Sequence, residues 1–150
     1  FYIEMGGAKH RYHAPLARCI YTGKAPKKIK KLSEIIKEGL NGVLNKVKPG
    51  VTGHELEYVW RKIISKYGIK KDSRIGYPIG IGYSPTWGEL TTSLRKGDKN
   101  ILEENMTFHC IPALWLQNYG IVISESFIVK KNGAEKLTNF EQKLFDLKDF

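Results

Sequence analysis

The chain of 150 residues is poor in cysteine, arginine and methionine, and it has no long unbroken apolar run. Cysteine occurs only at Cys19 and Cys110, too few for a disulfide framework and at a spacing that fits no zinc motif. Reduced thiols and a cytoplasmic setting are the expectation. Arginine numbers 5 against 20 lysines, so the formal charge of +10 is mostly ammonium charge. Forked recognition of phosphate and guanine draws on arginine, and a nucleic-acid partner is not expected. A long stretch without Asp, Glu, Lys or Arg covers Met106 to Ser124, nearly the length of a membrane span. Pro112 and the turn Gln117-Asn118-Tyr119-Gly120 interrupt it, so it reads as a hairpin and no membrane contact is expected. The opening FYIEMGG lacks the basic and long apolar regions of a signal peptide. It also lacks an initiator Met and reads as mid-strand, which suggests a cut chain.

What is present is the composition of an ordinary globular domain, 41% hydrophobic and 27% charged. Residues 1–5 and about 11–21 read as paired strands separated by Gly6-Gly7. A helix is expected after Pro26, with Ile29, Leu32, Ile36, Leu40, Val43 and Val47 as its apolar stripe and a lysine-rich outer face. Pro49-Gly50 ends it. Thr52 and Glu55 form a capping box for a second helix, whose inward stripe is Leu56, Val59, Trp60, Ile63 and Ile64 and whose stop is Gly68. Residues 73–89, SRIGYPIGIGYSPTWGE, resist helix and read as irregular strand and loop lining something. Met106–Leu116 and Gly120–Lys130 make the hairpin, Asn132-Gly133 a turn, and Asn139–Leu147 a short terminal helix. The pattern is one α+β domain.

Simple catalytic motifs fail one by one. His10 and His13 are an odd step apart, on opposite faces of a strand. His54-Glu55 begins like a zinc-protease helix, but position 58 is Tyr. Gly80-Ile81-Gly82 lacks the third glycine and the helix of a dinucleotide loop. Cys110 neighbours His109 in sequence only, because adjacent strand residues point apart. What remains is a set of polar and aromatic groups within apolar strands: Glu4, His13, Tyr77, Trp87, Glu89, His109, Trp115 and Glu125. A lone carboxylate such as Glu4 or Glu125 in an apolar strand is costly to bury unless paired. One such group is explained by an edge position or an ion pair; several in one small domain favour a lined pocket.

Glu4-Met5-Gly6-Gly7, the run RYHAPLAR at 11–18, GYPIGIGY at 76–83, LEENMTFHCIPALW at 102–115 and GIVISESFIV through GAEKLT at 120–138 resemble the pita-bread hydrolases. This creatinase/prolidase (M24-type) family includes aminopeptidases, prolidases, creatinase and ectoine hydrolase. The helix junction VKPGVTGHELE at 47–57 is also similar to the family's. The resemblance implies a curved, mainly antiparallel sheet covered by helices, a homodimer, and a chain that is the C-terminal part of a longer catalytic domain. The family's metallopeptidases hold a metal pair with two Asp, one His and two Glu. On the matching positions stand Glu4, Pro15, Tyr77, Ile111 and Ser124, with Glu125 where a neighbouring Asp usually sits. Only Glu4 retains a carboxylate, so no metal and no other cofactor is expected.

Creatinase and ectoine hydrolase are metal-independent branches that act on C–N bonds of amidine-like, carboxylate-bearing substrates. RYHAPLAR and the later Trp-Gly-Glu are more similar to ectoine hydrolase, and Ile111 departs from creatinase. The expectation is a hydrolase of a small zwitterionic amidine-type solute. Glu4 attacks or activates water, His109 or His13 moves the proton, and Glu125 orients a neighbour. Tyr77, Tyr83, Trp87 and Trp115 cradle a delocalised cation, with Glu89 beside them. Arg18 or Arg11 holds the substrate carboxylate, unless Arg18 is merely the structural partner of Glu125. The alternatives are a divergent Xaa-Pro dipeptidase, a creatinase-like amidinohydrolase, and a catalytically dead binding domain.

Overall fold

The computed structural model describes residues 1–83 and 85–147. Its first element pair is a hairpin, β1 (Tyr2–Lys9) antiparallel to β2 (Tyr12–Tyr21), with Tyr2 opposite Cys19 and Lys9 opposite Tyr12. The chain reverses at His10-Arg11, not at Gly6-Gly7 as the glycine pair suggests. Both turn residues take left-handed φ, 50° and 70°, the geometry whose twist suits a two-residue hairpin. Gly6 stays in the strand for another reason: a Cβ there would lie 2.8 Å from Cε3 of Trp87. The glycine marks close approach of a ring rather than a bend.

The helical pair follows as its stripes predict, α1 at Lys27–Lys46 and α2 at Gly53–Ser65. Every member of the α1 stripe is buried, and Lys27, Lys28, Lys30 and Lys31 are exposed. Leu56, Trp60 and Ile64 are buried, with Val59 and Ile63 half-buried. Thr52 Oγ1 accepts from the Glu55 amide at 3.2 Å, and the Glu55 carboxylate accepts from the Thr52 amide at 2.8 Å, closing the capping box. The helices approach closely at Gly39, where a Cβ would stand 2.3 Å from the Trp60 ring.

Within the irregular segment, Gly76–Pro78 forms β3. The expected hairpin is present but divided into β4 (Thr107–Cys110), β5 (Ala113–Trp115), β6 (Gly120–Val122) and β7 (Glu125–Lys130). One register holds throughout, from Thr107 opposite Ile128 to Trp115 opposite Gly120. It breaks midway because the backbone donors turn elsewhere. Pro112 has no N–H, the Ile111 amide donates to Ile75 at 2.7 Å, and the Ser124 amide donates to Ala17 of β2 at 3.2 Å. Ser124 and the residues around it are thereby tied to the first hairpin.

β8 (Gly133–Lys136) follows a turn at Lys131-Asn132, since Lys130 pairs with Gly133. The expected terminal helix at 139–147 does not form. Its place is taken by irregular chain and β9 (Phe145–Asp146), parallel to β2. The carbonyls of Phe140 and Glu141, which a helix would use internally, accept instead from Arg18, each at 2.8 Å. A buried guanidinium outcompetes weak helix propensity.

The sheets run β1-β2-β9, β3-β4-β7-β8 and β5-β6. The fold is α+β with mainly antiparallel strands. Phe108 and Phe127 stack at 5.6 Å in the core with the helix stripes. Strand alternation then turns His109 to the other face of β4. Among the described residues no helix is long and apolar enough to cross a membrane.

Candidate active site

Alternate residues of β1 share one face, so Tyr2, Glu4 and Gly6 form a row. Each meets an aromatic group. Tyr2 lies against Trp115 with ring centroids 5.4 Å apart, Glu4 faces His109 and Tyr77, and Gly6 lies under Trp87. Tyr77 of β3 and His109 of β4 are direct cross-strand partners, which places both side chains on the face toward Glu4.

The polar centre is a connected chain. Trp87 Nε1–H donates to Tyr77 Oη at 2.9 Å, and Tyr77 Oη lies 2.8 Å from His109 Nδ1. His109 Nε2 lies 2.7 Å from Ser124 Oγ. The Glu4 carboxylate is hydrogen-bonded to Tyr77 and stands 4.0 Å from His109 Nδ1. Burial raises the pKa of Glu4 above the ordinary carboxylate value, a shift the Tyr77 hydrogen bond partly offsets. Burial first, and the nearby Arg18 charge second, push His109 down to about 3, so the imidazole is neutral across the physiological range. Burial likewise raises the Tyr77 phenol. The site holds an ionisable carboxylate half out of water beside a neutral imidazole and a protonated phenol.

Behind this face lies a buried ion pair. Arg18 Nη2 meets Glu125 Oε1 at 2.6 Å, and both side chains are almost wholly buried. The remaining Arg18 donors go to the carbonyls of Ala17, Ser124, Phe140 and Glu141. Glu125 also accepts from Thr138 and from Gln142. The Arg18 fork is therefore occupied by the protein, which corrects its assignment to a substrate carboxylate. Its bond to the Ser124 carbonyl, at 2.5 Å, instead fixes the backbone beside His109. Glu125 orients this support rather than touching the site.

Other expected residues lie farther out. His13 is half-buried on the same face as Glu4, but it pairs with Ala8, four residues along β1 and so about 13 Å away. Tyr83 is exposed and stacks with Arg11 at the hairpin tip, 5.3 Å from guanidinium carbon to ring centroid. Trp115 is half-exposed at the Tyr2 end of the row. Glu89 lines a cavity of about 300 Å³ with Tyr77, Trp87, Gly88 and Arg74. Arg74, which no pattern in the sequence singles out, places its guanidinium carbon 5.1 Å from the Tyr77 ring centroid. Ser124 is legible in the sequence only as a replaced position, not as a partner of His109.

Comparison with known proteins agrees with this geometry. The sequence profile of metallopeptidase family M24 matches residues 1–131. The chain belongs to that family. It is 46% identical over 91% of its length to a hydrolase/peptidase designated y4tM from Sinorhizobium fredii, covering 35% of that protein. It is 39% identical over 96% of its length to ectoine hydrolase of Halomonas elongata, covering 36%. An X-Pro aminopeptidase from Thermotoga maritima superimposes with a TM-score of 0.87 at 27% identity, over 97% of this chain and 40% of the other. The chain thus spans little more than a third of the curated relatives it matches. Membership accounts for the pita-bread arrangement of its strands and helices.

The family implies a metal pair, and the residues do not fit one. The side chains of Pro15 and Ile111 offer no donor atom, Tyr77 Oη already serves Trp87, His109 and Glu4, and Ser124 Oγ serves Ala17 and His109. Among the described residues no three of His, Cys, Asp and Glu gather closely enough to hold an ion. The place of the ligands is taken by a hydrogen-bonded chain.

Proposed function

We propose that this chain carries the catalytic face of a metal-independent hydrolase that cleaves a C–N bond in a small zwitterionic amidine-type solute, as ectoine hydrolase does. The observation that carries the reading is Glu4, a carboxylate with a raised pKa facing His109 and Tyr77 where the family's metallopeptidases place a metal ligand. The 39% identity to ectoine hydrolase supports it.

An amidinium carbon is a weak electrophile and needs an electron pair aimed at it in a poorly hydrated site. Glu4 supplies that pair, on the carbon itself or on the water that attacks it. Water adds at the carbon, one C–N bond breaks, the oxygen becomes the amide carbonyl, and the departing nitrogen leaves as an amine with the displaced proton. A desolvated carboxylate is a stronger base than an exposed one. The rings of Trp87 and Tyr77 offer faces to the delocalised cation, and Glu89 adds a negative wall. With Arg18 committed to Glu125, Arg74 is the cationic group at the cavity for the substrate carboxylate.

The test is turnover of ectoine, hydroxyectoine and creatine by the full-length protein with and without chelator. Release of a ring-opened amide, unchanged by chelator and reduced at least 100-fold by Glu4→Gln, is expected, in line with the 10²–10⁴-fold weight of general-base catalysis. Turnover of none of these substrates, or activity on Xaa-Pro dipeptides that follows bound metal in elemental analysis, overturns the reading.

A further inference from the structure

Ser124 contributes nothing to the mechanism above, yet its hydroxyl is wholly buried and its hydrogen bonds have a direction. The amide N–H of Ala17 donates to Ser124 Oγ at 2.7 Å, and His109 Nε2 lies 2.7 Å from the same oxygen. The described residues give that oxygen no further acceptor for its own proton. Were Nε2 protonated, Ser124 Oγ would accept twice and its O–H would be stranded in the core without an acceptor. With Nε2 bare, the Ser124 hydroxyl donates to it and every polar atom is satisfied.

The proton of the neutral imidazole then stands on Nδ1, toward Tyr77 Oη at 2.8 Å and the Glu4 carboxylate at 4.0 Å. Tyr77 also accepts from Trp87 and gives its own proton to Glu4. Donation runs one way, from the Ala17 amide through Ser124, His109 and Tyr77 to Glu4. Its far end is a backbone amide in the core, so no proton leaves by that route. The serine is held to this task from both sides: its amide bonds to Ala17 at 3.2 Å and its carbonyl to Arg18 at 2.5 Å.

We propose that Ser124 is a positioning residue that locks His109 in the Nδ1–H tautomer, so that the imidazole presents an N–H and not a lone pair to the Glu4–Tyr77 pair. His109 is then a fixed donor that steadies negative charge on Glu4 through the Tyr77 hydroxyl, not an acid that delivers a proton to the departing nitrogen. A position that in the family's metallopeptidases ligates metal here sets a tautomer. The inference rests on Glu4 being the reactive group only for its purpose; the tautomer is measured without turnover.

The experiment is long-range ¹H–¹⁵N correlation at neutral pH on the protein labelled with ¹⁵N-histidine, with His109 assigned by loss of its signals in His109→Gln. In the unsubstituted protein, Nδ1 of His109 is expected to resonate as a protonated nitrogen and Nε2 as a bare one. Ser124→Ala is expected to move the proton toward Nε2, and Ser124→Thr, which keeps the hydroxyl, to restore the original pattern. A proton on Nε2 in the unsubstituted protein overturns the proposal, even if Ser124→Ala fails to fold. So does an unchanged tautomer in a folded Ser124→Ala. Loss of amidine turnover would sink the functional reading and leave this result standing.

Discussion

His109 is a base that folding prevents from charging, and the consequence is a pH dependence of stability with a defined sign. Its ordinary value of 6.5 falls to about 3 in the folded chain. Between those values the unfolded chain binds the proton and the folded chain does not, so stability rises with pH across that window. The contribution is complete above about pH 6.5 and is lost as the pH falls toward 3, at about 1.4 kcal/mol per unit. Urea unfolding of the unsubstituted chain and of His109→Gln between pH 4 and 7 measures it. The substituted chain is expected to lose that part of the slope; equal slopes would mean that the imidazole protonates in place. The same desolvation acts oppositely on Glu4, raising its pKa. One dry wall therefore keeps the imidazole neutral and makes the carboxylate more basic.

Between elements, the site depends on how three strands and a loop converge. β1 supplies Glu4, β3 supplies Tyr77, β4 supplies His109, and the segment after β3 lays Trp87 over Gly6. Arg74, just ahead of β3, and Glu89, within that segment, face one small cavity from opposite charge types. A zwitterion fits such a cavity, and the prediction is specific: Arg74→Ala raises KM by about 10–100-fold, the weight of a charge-assisted hydrogen bond, with kcat nearly unchanged. Steady-state kinetics of the full-length protein decide it; an unchanged KM removes Arg74 from binding. The helices and the long hairpin are legible from periodicity, capping and register, because those signals are local. Three features are not. Gly6-Gly7 reads as a turn because a ring 81 positions later in the chain, Trp87, is invisible to local pattern. The terminal helix fails because Arg18 claims its carbonyls from across the molecule. Arg74 carries no pattern at all. In the site, Glu4, Tyr77, Trp87 and His109 stand out as polar or aromatic groups in apolar strands, while the direction of their hydrogen bonds requires the fold.

At the scale of the whole molecule, the reverse face of β1 poses a different problem. Burial on one side leaves Ile3 at 40% and Met5 at 62% exposure on the other. Around them Leu16, Ile20, Phe140 and Phe145 line an apolar cavity of about 600 Å³. β1 is also the outer strand of its sheet, since the order is β1-β2-β9. A long, unpaired, apolar edge is a template for pairing with another chain, and an apolar patch of this kind is costly in water. The +10 charge opposes association, but its lysines are spread along the chain, with a cluster on the outer face of α1, and at 0.15 M salt their repulsion is screened beyond about 8 Å. Contact between the apolar faces is therefore expected to win over charge repulsion. The 150-residue chain is expected to self-associate at micromolar concentration, and Ile3→Lys with Met5→Lys is expected to return it to a monomer without disturbing Glu4, whose side chain lies on the opposite face of the strand. Sedimentation velocity of the two proteins at 0.15 M salt makes the comparison. A monomer before substitution would show that the edge is already protected by its twist and by the turn at His10-Arg11.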